Sequence, residues 1–291
     1  MTMIEIMQKF LNNDDACSEY LSNLRWAKMK YCPYCKSTQI SKHTEKDRRS
    51  RLQCSCCKKS FSPTVKTIMH NTKLPLYKWF LAISMISDAK KGISSRQLGR
   101  HLDLPVKTAY ALSQRIRKAM VGSISPLLEG IIEIDETYIG GKPRFKGVSK
   151  RGRGTDKMKV IGAVERKGNV IAHASTSFNQ KMVRNLILEN VDIDKSEIHT
   201  DEYRIYSRVN KMLTHEVVNH GKKEYARGNV HTNSIEGFWA GVKRAWYGQH
   251  HHYSAKYLQH YISEAVFKYN NRKESSSQVF NNLLSLVCIP S

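Results

Sequence analysis

The sequence predicts an α/β fold for its C-terminal half, behind a small cysteine-paired module and a helical region. Three observations predict it: three strand-like runs between residues 131 and 174, an alternation of helix and short strand after them, and two Cys-x-x-Cys pairs near the N-terminus. A length of 291 residues suits about two domains. With 40% hydrophobic and 9% aromatic residues the chain holds enough core to fold. Lys and Arg number 48 against 25 Asp and Glu, a formal net charge of +23, which asks for a polyanionic partner, and nucleic acid is the default. The charge is spread along the chain rather than gathered on one amphipathic helix, which argues against a membrane-surface protein. The longest apolar candidate, Leu76 to Ser87, contains Lys78 and falls short of the roughly 20 residues that span a bilayer. The start MTMIEIMQKF lacks a basic stretch followed by an apolar one, so the expectation is a cytoplasmic protein.

Residues 1–24 form an N-terminal helical segment, and residues 25–73 a ribbon. Cys32-x-x-Cys35 and Cys54-x-x-Cys57 have the spacing of a structural Zn²⁺ site, in which two knuckles each present two thiolates to a tetrahedral ion. Cys56 is the alternative fourth ligand, although the spacing favours Cys57. Disulfides are the competing reading, and a cytosolic chain disfavours them. Thirteen Lys or Arg against Glu45 and Asp47 between residues 25 and 73 give the ribbon a phosphate-contacting character.

Residues 74–124 turn helical. Trp79, Ile83 and Ile86 make one apolar stripe. Ser94 or Ser95 caps a helix through Leu98 and Leu102, a turn follows at Asp103 to Pro105, and a second helix carries Ala109, Leu112 and Ile116 inward. Lys107, Arg115 and Arg117 are placed outward as DNA contacts. This is a helix-turn-helix layout, with a plain helical bundle as the alternative.

Residues 125–275 form the α/β domain and 276–291 a C-terminal tail. Ile131–Ile139, Lys159–Val164 and Asn169–Ala174 read as strands, the last two joined by a tight turn at Lys167-Gly168-Asn169. Then come a helix at Gln180–Asn190, a strand at Ser196–Thr200, a helix at Tyr203–Leu213, a strand at His215–Val218, and helices at Asn233–Trp246 and Ala255–Asn270. A three-strand meander followed by alternating helix and strand is the order of a ribonuclease-H-like fold. The segment after Gly140 is strongly basic, and Lys150, Arg151 and Arg153 in it are expected to meet a phosphodiester backbone.

In so basic a chain, acids in apolar settings stand out. Asp135 lies within an Ile-rich strand, where an uncompensated carboxylate is costly. Asp201 ends the strand SEIHT, and Glu236 lies on the helix that starts near Asn233. Three carboxylates from adjacent elements suit a pair of Mg²⁺ ions, hard cations that take oxygen ligands. Lys243, two turns beyond Glu236, shares nearly its face, and Arg244 is a further DNA contact. The competing reading of Glu236 is a capping partner for Asn233.

The stretches EIDETYIGGK, HTDEYRIY, YARGNVHTNSIEGFWAGVKR and QHHHYSAKYLQHYISEAVFKYNNR together resemble the DDE transposases of bacterial insertion sequences, specifically the Merlin-like group with an N-terminal zinc ribbon. HTNSIEGFWAGVKR is the most specific of them. The resemblance implies a retroviral-integrase-like catalytic domain that cuts and joins the ends of its own element. Asp135, Asp201 and Glu236 would be its catalytic acids and Mg²⁺ (or Mn²⁺) ligands, with Lys243 as the accompanying base and Asn233 as the reserve third position. Partners would be double-stranded DNA, both terminal inverted repeats and target, bound by a homo-oligomer on the nucleoid. Two other functions stay open to test: a DNA-binding regulator built from ribbon and helix-turn-helix, and a metal-dependent DNA nuclease that cleaves without joining.

Overall fold

A computed structural model describes residues 1–27, 29–44, 50–122, 126–140, 157–222, 224 and 226–289. The chain divides into two compact units, Met1–Val121 with Lys273–Ser291, and Gly122–Arg272.

The first unit opens with α1 (Met3–Phe10) and α2 (Asp14–Arg25). Thr2 and Glu5 close a capping box on α1, and Asn13 Oδ1 accepts from Ala16 N–H to cap α2. The ribbon is an antiparallel sheet, β1 (Ile40–Thr44), β2 (Ser50–Cys54) and β3 (Ser60–Phe61), in that order. Its small core joins Trp26, Phe61 and Val65 to Cys32 and Cys54. So few apolar side chains bury little area, so the fold of this module depends on its cysteine site. Helix α3 (Leu76–Asp88) is apolar on nearly every face and packs against α1, α2 and the two helices that follow it, with Trp79, Ile83 and Ile86 fully buried as expected.

The helix-turn-helix layout is present as α4 (Ser95–Leu102) and α5 (Val106–Ala119). Ser94 is the cap, its hydroxyl accepting from Gln97 N–H, and Asp103 turns the chain in the left-handed region at φ 48°. Close approach of the two helices requires Gly99, where a Cβ would stand 2.8 Å from Leu104 O. Ala109, Leu112 and Ile116 face inward. Arg117 does not face outward: it is fully buried, and its guanidinium donates to Ile93 O. Arg115 is half-buried over the Trp79 ring and donates to His70 O. Only Lys107 of the three is exposed. The reason is a third neighbour. Residues 276–288, read from sequence only as a tail, form α9 (Ser276–Cys288), which packs on α2, α3 and α5 through a face that includes Phe280, Leu283, Leu284 and Val287. With helices on several sides, α5 buries a wider arc than a two-helix layout allows.

The second unit holds a five-stranded sheet in the order β6-β5-β4-β7-β8. Its strands are β4 (Leu128–Ile139), β5 (Met158–Glu165), β6 (Val170–Ser175), β7 (Val191–Asp201) and β8 (Thr214–Val218). β4, β5 and β6 form an antiparallel meander, while β7 and β8 run parallel to β4. That is ribonuclease-H-like topology. A positive φ of 73° at Gly130 accompanies the irregularity at the start of the β4–β7 pairing.

Period-two alternation divides two cores. Ile132, Ile134, Ile161 and Ala163 meet α6 (Gln180–Asn190) on one face, while Ile139, Val160 and Val164 meet α7 (Asn233–Ala245) and α8 (Leu258–Asn270) on the other. Gly162 seats Trp239, whose ring would lie 2.9 Å from an added Cβ. Residues 203–213 are not one helix but two short 3₁₀ turns, Arg204–Tyr206 and Val209–Lys211. Among the described residues no helix is long and apolar enough to cross a membrane.

Candidate active site

The parallel register of β4 and β7 builds the acidic site. Glu133 pairs with His199, so Asp135 and Asp201 lie two residues further along neighbouring strands, on the face that carries α7. Glu136 is one residue on from Asp135 and belongs to the opposite face, where Tyr206 Oη donates to it at 2.8 Å. Where β7 ends beside the middle of β4, one carboxylate oxygen each of Asp135, Glu136 and Asp201 nevertheless lies within 4.8 Å of the others. Asp201 is held by its own turn, Oδ1 accepting from Tyr203 N–H at 2.9 Å. Burial pushes the Asp135 carboxyl up to about 8, with the charges of Glu136, Asp201 and Glu236 adding to it and a backbone hydrogen bond at Glu136 opposing. Three acids crowded in a half-buried cleft are costly as anions unless a cation joins them, and an all-oxygen donor set suits a hard divalent ion.

Glu236 belongs to the first turn of α7, exposed, with Thr232 Oγ1 donating to it at 3.1 Å. It stands outside the 4.8 Å cluster, yet its charge reaches Asp135. The helix cap is Thr232 rather than Asn233, which is the first, exposed residue of α7. Lys243 and Arg244 are exposed in its last turn. Lys150, Arg151 and Arg153 lie outside the described residues.

A buried network lies behind the cluster. Glu133, two residues before Asp135 on the same face, is fully buried and accepts from the backbone N–H groups of Ser234 (2.7 Å) and Ile235 (3.0 Å) and from Ser234 Oγ. A β4 carboxylate therefore caps α7, where backbone amides and the positive end of the helix dipole both favour an anion. Arg166 Nε donates to the same carboxylate at 2.7 Å, and its Nη1 to Asn229 O and Oδ1. Arg166 Nη2 donates to His231 O and reaches His199 Nδ1 and His231 Nδ1. Burial, and then the Arg166 charge, push the His199 pKa down, so its neutral ring accepts from Arg166 at Nδ1 and donates from Nε2 to Glu197, 3.1 Å away. The network fixes the helix bearing Glu236 against the strand bearing Asp135.

In the ribbon, Cys32, Cys35, Cys54 and Cys57 bring one sulfur each within 4.8 Å of the others, while the exposed Cys56 is outside the group. Lys36 and Lys58, each following the second cysteine of its pair, take left-handed φ values of 64° and 57°, the same turn built twice. Cys54 is lowered to about 6, first by the backbone N–H of Cys57. Four thiol donors at tetrahedral spacing fit Zn²⁺.

Fold and site together define a class: an enzyme of ribonuclease-H-like architecture whose clustered acids bind divalent metal, with a zinc ribbon before it. Residues 127–270 match the family described as the ISXO2-like transposase domain, and residues 12–60 the transposase zinc-ribbon domain. A relative from Halobacterium salinarum, described as an uncharacterized protein in transposable element ISH50, is 30% identical over 257 residues, 83% of this chain and 86% of that protein. The chain belongs to the ISXO2-like transposases, DDE-type enzymes of insertion sequences. Solved structures with some likeness are the Mos1 strand transfer complex (12% identity, TM-score 0.24) and the Mos1 transposase paired-end complex with left transposon end (13%, TM-score 0.22). Each covers 69% of this chain and 78% of the other. The family assignment rests on the sequence matches.

Proposed function

We propose that this transposase binds the terminal inverted repeats of its own insertion sequence and cuts and joins DNA strands at the Asp135–Asp201 site, working on the nucleoid as a homo-oligomer. The observation that carries the reading is the juxtaposition of Asp135 and Asp201 across a parallel strand pair, with Asp135 disfavoured as a bare anion. Asp135 and Asp201 hold Mg²⁺ or Mn²⁺, and Glu236 completes the set from α7. A pair of such ions, when bound, activates the attacking oxygen and stabilises the leaving one in an in-line displacement. Asp135 must give up its proton to bind them, and the Tyr203 backbone fixes Asp201 for the same purpose. Glu133 and Arg166 hold α7 so that the Glu236 charge reaches Asp135, and Lys243, two turns on, meets the DNA backbone. Glu136 is the rival third ligand, since it lies within the cluster while bonded to Tyr206.

The test is strand cleavage of a duplex carrying the element's terminal repeat in Mg²⁺, with Asp135→Asn as control. Loss of cleavage with retained binding supports the acid site, and joined products support strand transfer. Cleavage without joining points to a nuclease. Metal-independent binding without cleavage under any divalent ion sinks the catalytic reading in favour of a regulator. Glu236→Gln and Glu136→Gln, compared in the same assay, identify the third acid.

A further inference from the structure

We propose that Tyr206 is a positioning residue of the acid cluster: its buried hydroxyl holds the Glu136 carboxylate beside Asp135 and Asp201, where it joins them in binding a divalent cation. The proposal rests on the metal reading above and deepens it, giving Glu136 a place in the site and naming what keeps it there.

Strand alternation sets the problem. Asp135 and Asp201 lie side by side on the face of the sheet that carries α7, and Glu136, next along β4, starts from the other face. Its side chain is long and rich in rotamers, so nothing in the strand itself brings its carboxylate to the other two. Yet one oxygen from each of the three lies within 4.8 Å of the others. Anions at that spacing repel, so the arrangement needs a restraint as well as a cation.

Tyr206 supplies the restraint. Its Oη donates to Glu136 Oε2 at 2.8 Å. The residue is 1% exposed and belongs to the apolar cluster that holds Ile198, Ile205 and Val209. The Tyr203 ring meets it edge-on, with centroids 6.2 Å apart. A phenol so enclosed does not meet a DNA strand, so its effect on the reaction passes through Glu136.

One short segment thereby fixes both acids that accompany Asp135. It ends β7 with Asp201, whose Oδ1 accepts from Tyr203 N–H at 2.9 Å, and then closes the 3₁₀ turn in which Tyr206 N–H donates to Tyr203 O at 2.9 Å. Side chains three residues apart eclipse in such a turn, which sets the Tyr206 ring against that of the residue pinning Asp201. A single turn therefore governs the spacing of Asp201 and Glu136. Carboxylates that bind metal are commonly held by hydrogen bonds of this kind, and loss of the holder costs about 10–100-fold in metal affinity.

The test measures Mn²⁺ binding by titration calorimetry on the full-length, zinc-loaded protein without DNA, so turnover plays no part in it. Asp135→Asn identifies the signal that belongs to the cluster. Tyr206→Phe, which keeps the ring and removes the hydroxyl, should weaken that binding by about tenfold or more. Glu136→Gln should weaken it at least as much. Adding Tyr206→Phe to Glu136→Gln should then cost less than about twofold, because the two residues act as one unit. Glu136→Asp keeps the charge but shortens the reach to Tyr206, and should lose about as much as Tyr206→Phe; it carries the test where the tyrosine variant does not fold. A merely structural Tyr206 would lower the metal-free melting temperature and leave the Mn²⁺ affinity of the folded protein unchanged, which overturns the proposal. Tighter binding in Tyr206→Phe overturns it as well, since the hydroxyl would then be drawing Glu136 away from the ion. So does an equal loss from Tyr206→Phe with and without the Glu136 carboxylate. A wild type that binds no Mn²⁺ at the cluster sinks the metal reading and this role with it, whereas wild-type affinity in Tyr206→Phe and Glu136→Asp sinks the role alone.

Discussion

The chain carries two ligand clusters built in opposite ways. The ribbon draws its four sulfurs from two local pairs, each formed by one short turn with a left-handed lysine after the second cysteine. The acid cluster draws Asp135 and Asp201 from strands that are neighbours only after the sheet has formed, and its α7 side depends on a buried carboxylate and an arginine far apart in sequence. A local cluster fails when its metal is lost. A distributed one fails when the scaffold shifts. Four experiments sharpen or break that contrast.

The largest effect is expected in the ribbon. Cys57→Ser should abolish stoichiometric zinc, measured by metal analysis, and unfold the module, because structural zinc supplies on the order of 10 kcal/mol to such small folds. Cys56→Ser should retain one zinc per chain. Loss of zinc in both variants would make Cys56 a ligand and break the two-turn symmetry.

Asp135→Asn should lower cleavage by about a thousandfold or more, a size typical of removing a central charge in a catalytic site. Its pH signature is separate. With the carboxyl raised from its ordinary 3.8 to about 8, the metal-free fold binds a proton more tightly than the unfolded chain does. That stabilisation is complete below about pH 4 and is lost as pH rises through about 8. Thermal melts without divalent ion should fall across this window for the wild type and stay flatter for Asp135→Asn. Apparent Mg²⁺ affinity should climb up to tenfold per pH unit until about 8, then level off. A flat melting profile in the wild type would show that Asp135 is not a buried acid.

Arg166→Ala leaves Glu133 buried without its cation, a class of change that costs about 3–5 kcal/mol. Urea unfolding should show the loss in the catalytic unit while zinc content stays at one equivalent. Arg166→Lys should recover only part of it, because one ammonium cannot reach Glu133, Asn229 and His231 together. Equal stability of Arg166→Lys and wild type would reduce the network to a simple ion pair.

The smallest effect is Gly99→Ala, whose methyl would meet Leu104 O at 2.8 Å and push α4 from α5 at a cost of about 1–3 kcal/mol. Thermal melting would reveal it, and end cleavage by folded protein should persist.

The same contrast governs what the sequence could reveal. Cys-x-x-Cys spacing states its geometry outright, and Asp135 is visible because a carboxylate inside an isoleucine run demands a reason. Glu133 lies between Ile132 and Ile134 in the same run and made the same demand, two residues away on the same face. Its partners, α7 amides about a hundred residues on and Arg166, left no local trace. Glu136 was hidden for another reason: neighbours on a strand face opposite ways, so alternation alone assigns Glu136 to the side away from Asp135. Arg117 was misplaced because its burial depends on how many helices surround α5. Phe280, Leu283, Leu284 and Val287 do carry the three- and four-residue spacing of a buried helix face, so α9 was legible in principle. Residues 203–213 break into 3₁₀ turns, with the Tyr203 N–H taken by Asp201 instead of a helical carbonyl.

Glu133 also joins two elements of the domain. While α7 is undocked, that carboxylate keeps Arg166 but has neither its two backbone amides nor the Ser234 hydroxyl, so a strand closed over it holds an anion short of three donors. Docking of the helix therefore completes the coordination of Glu133, and the helix carries Glu236. One buried carboxylate thus ties the seating of α7 to the strand that carries Asp135, so a change at Glu133 is felt by both.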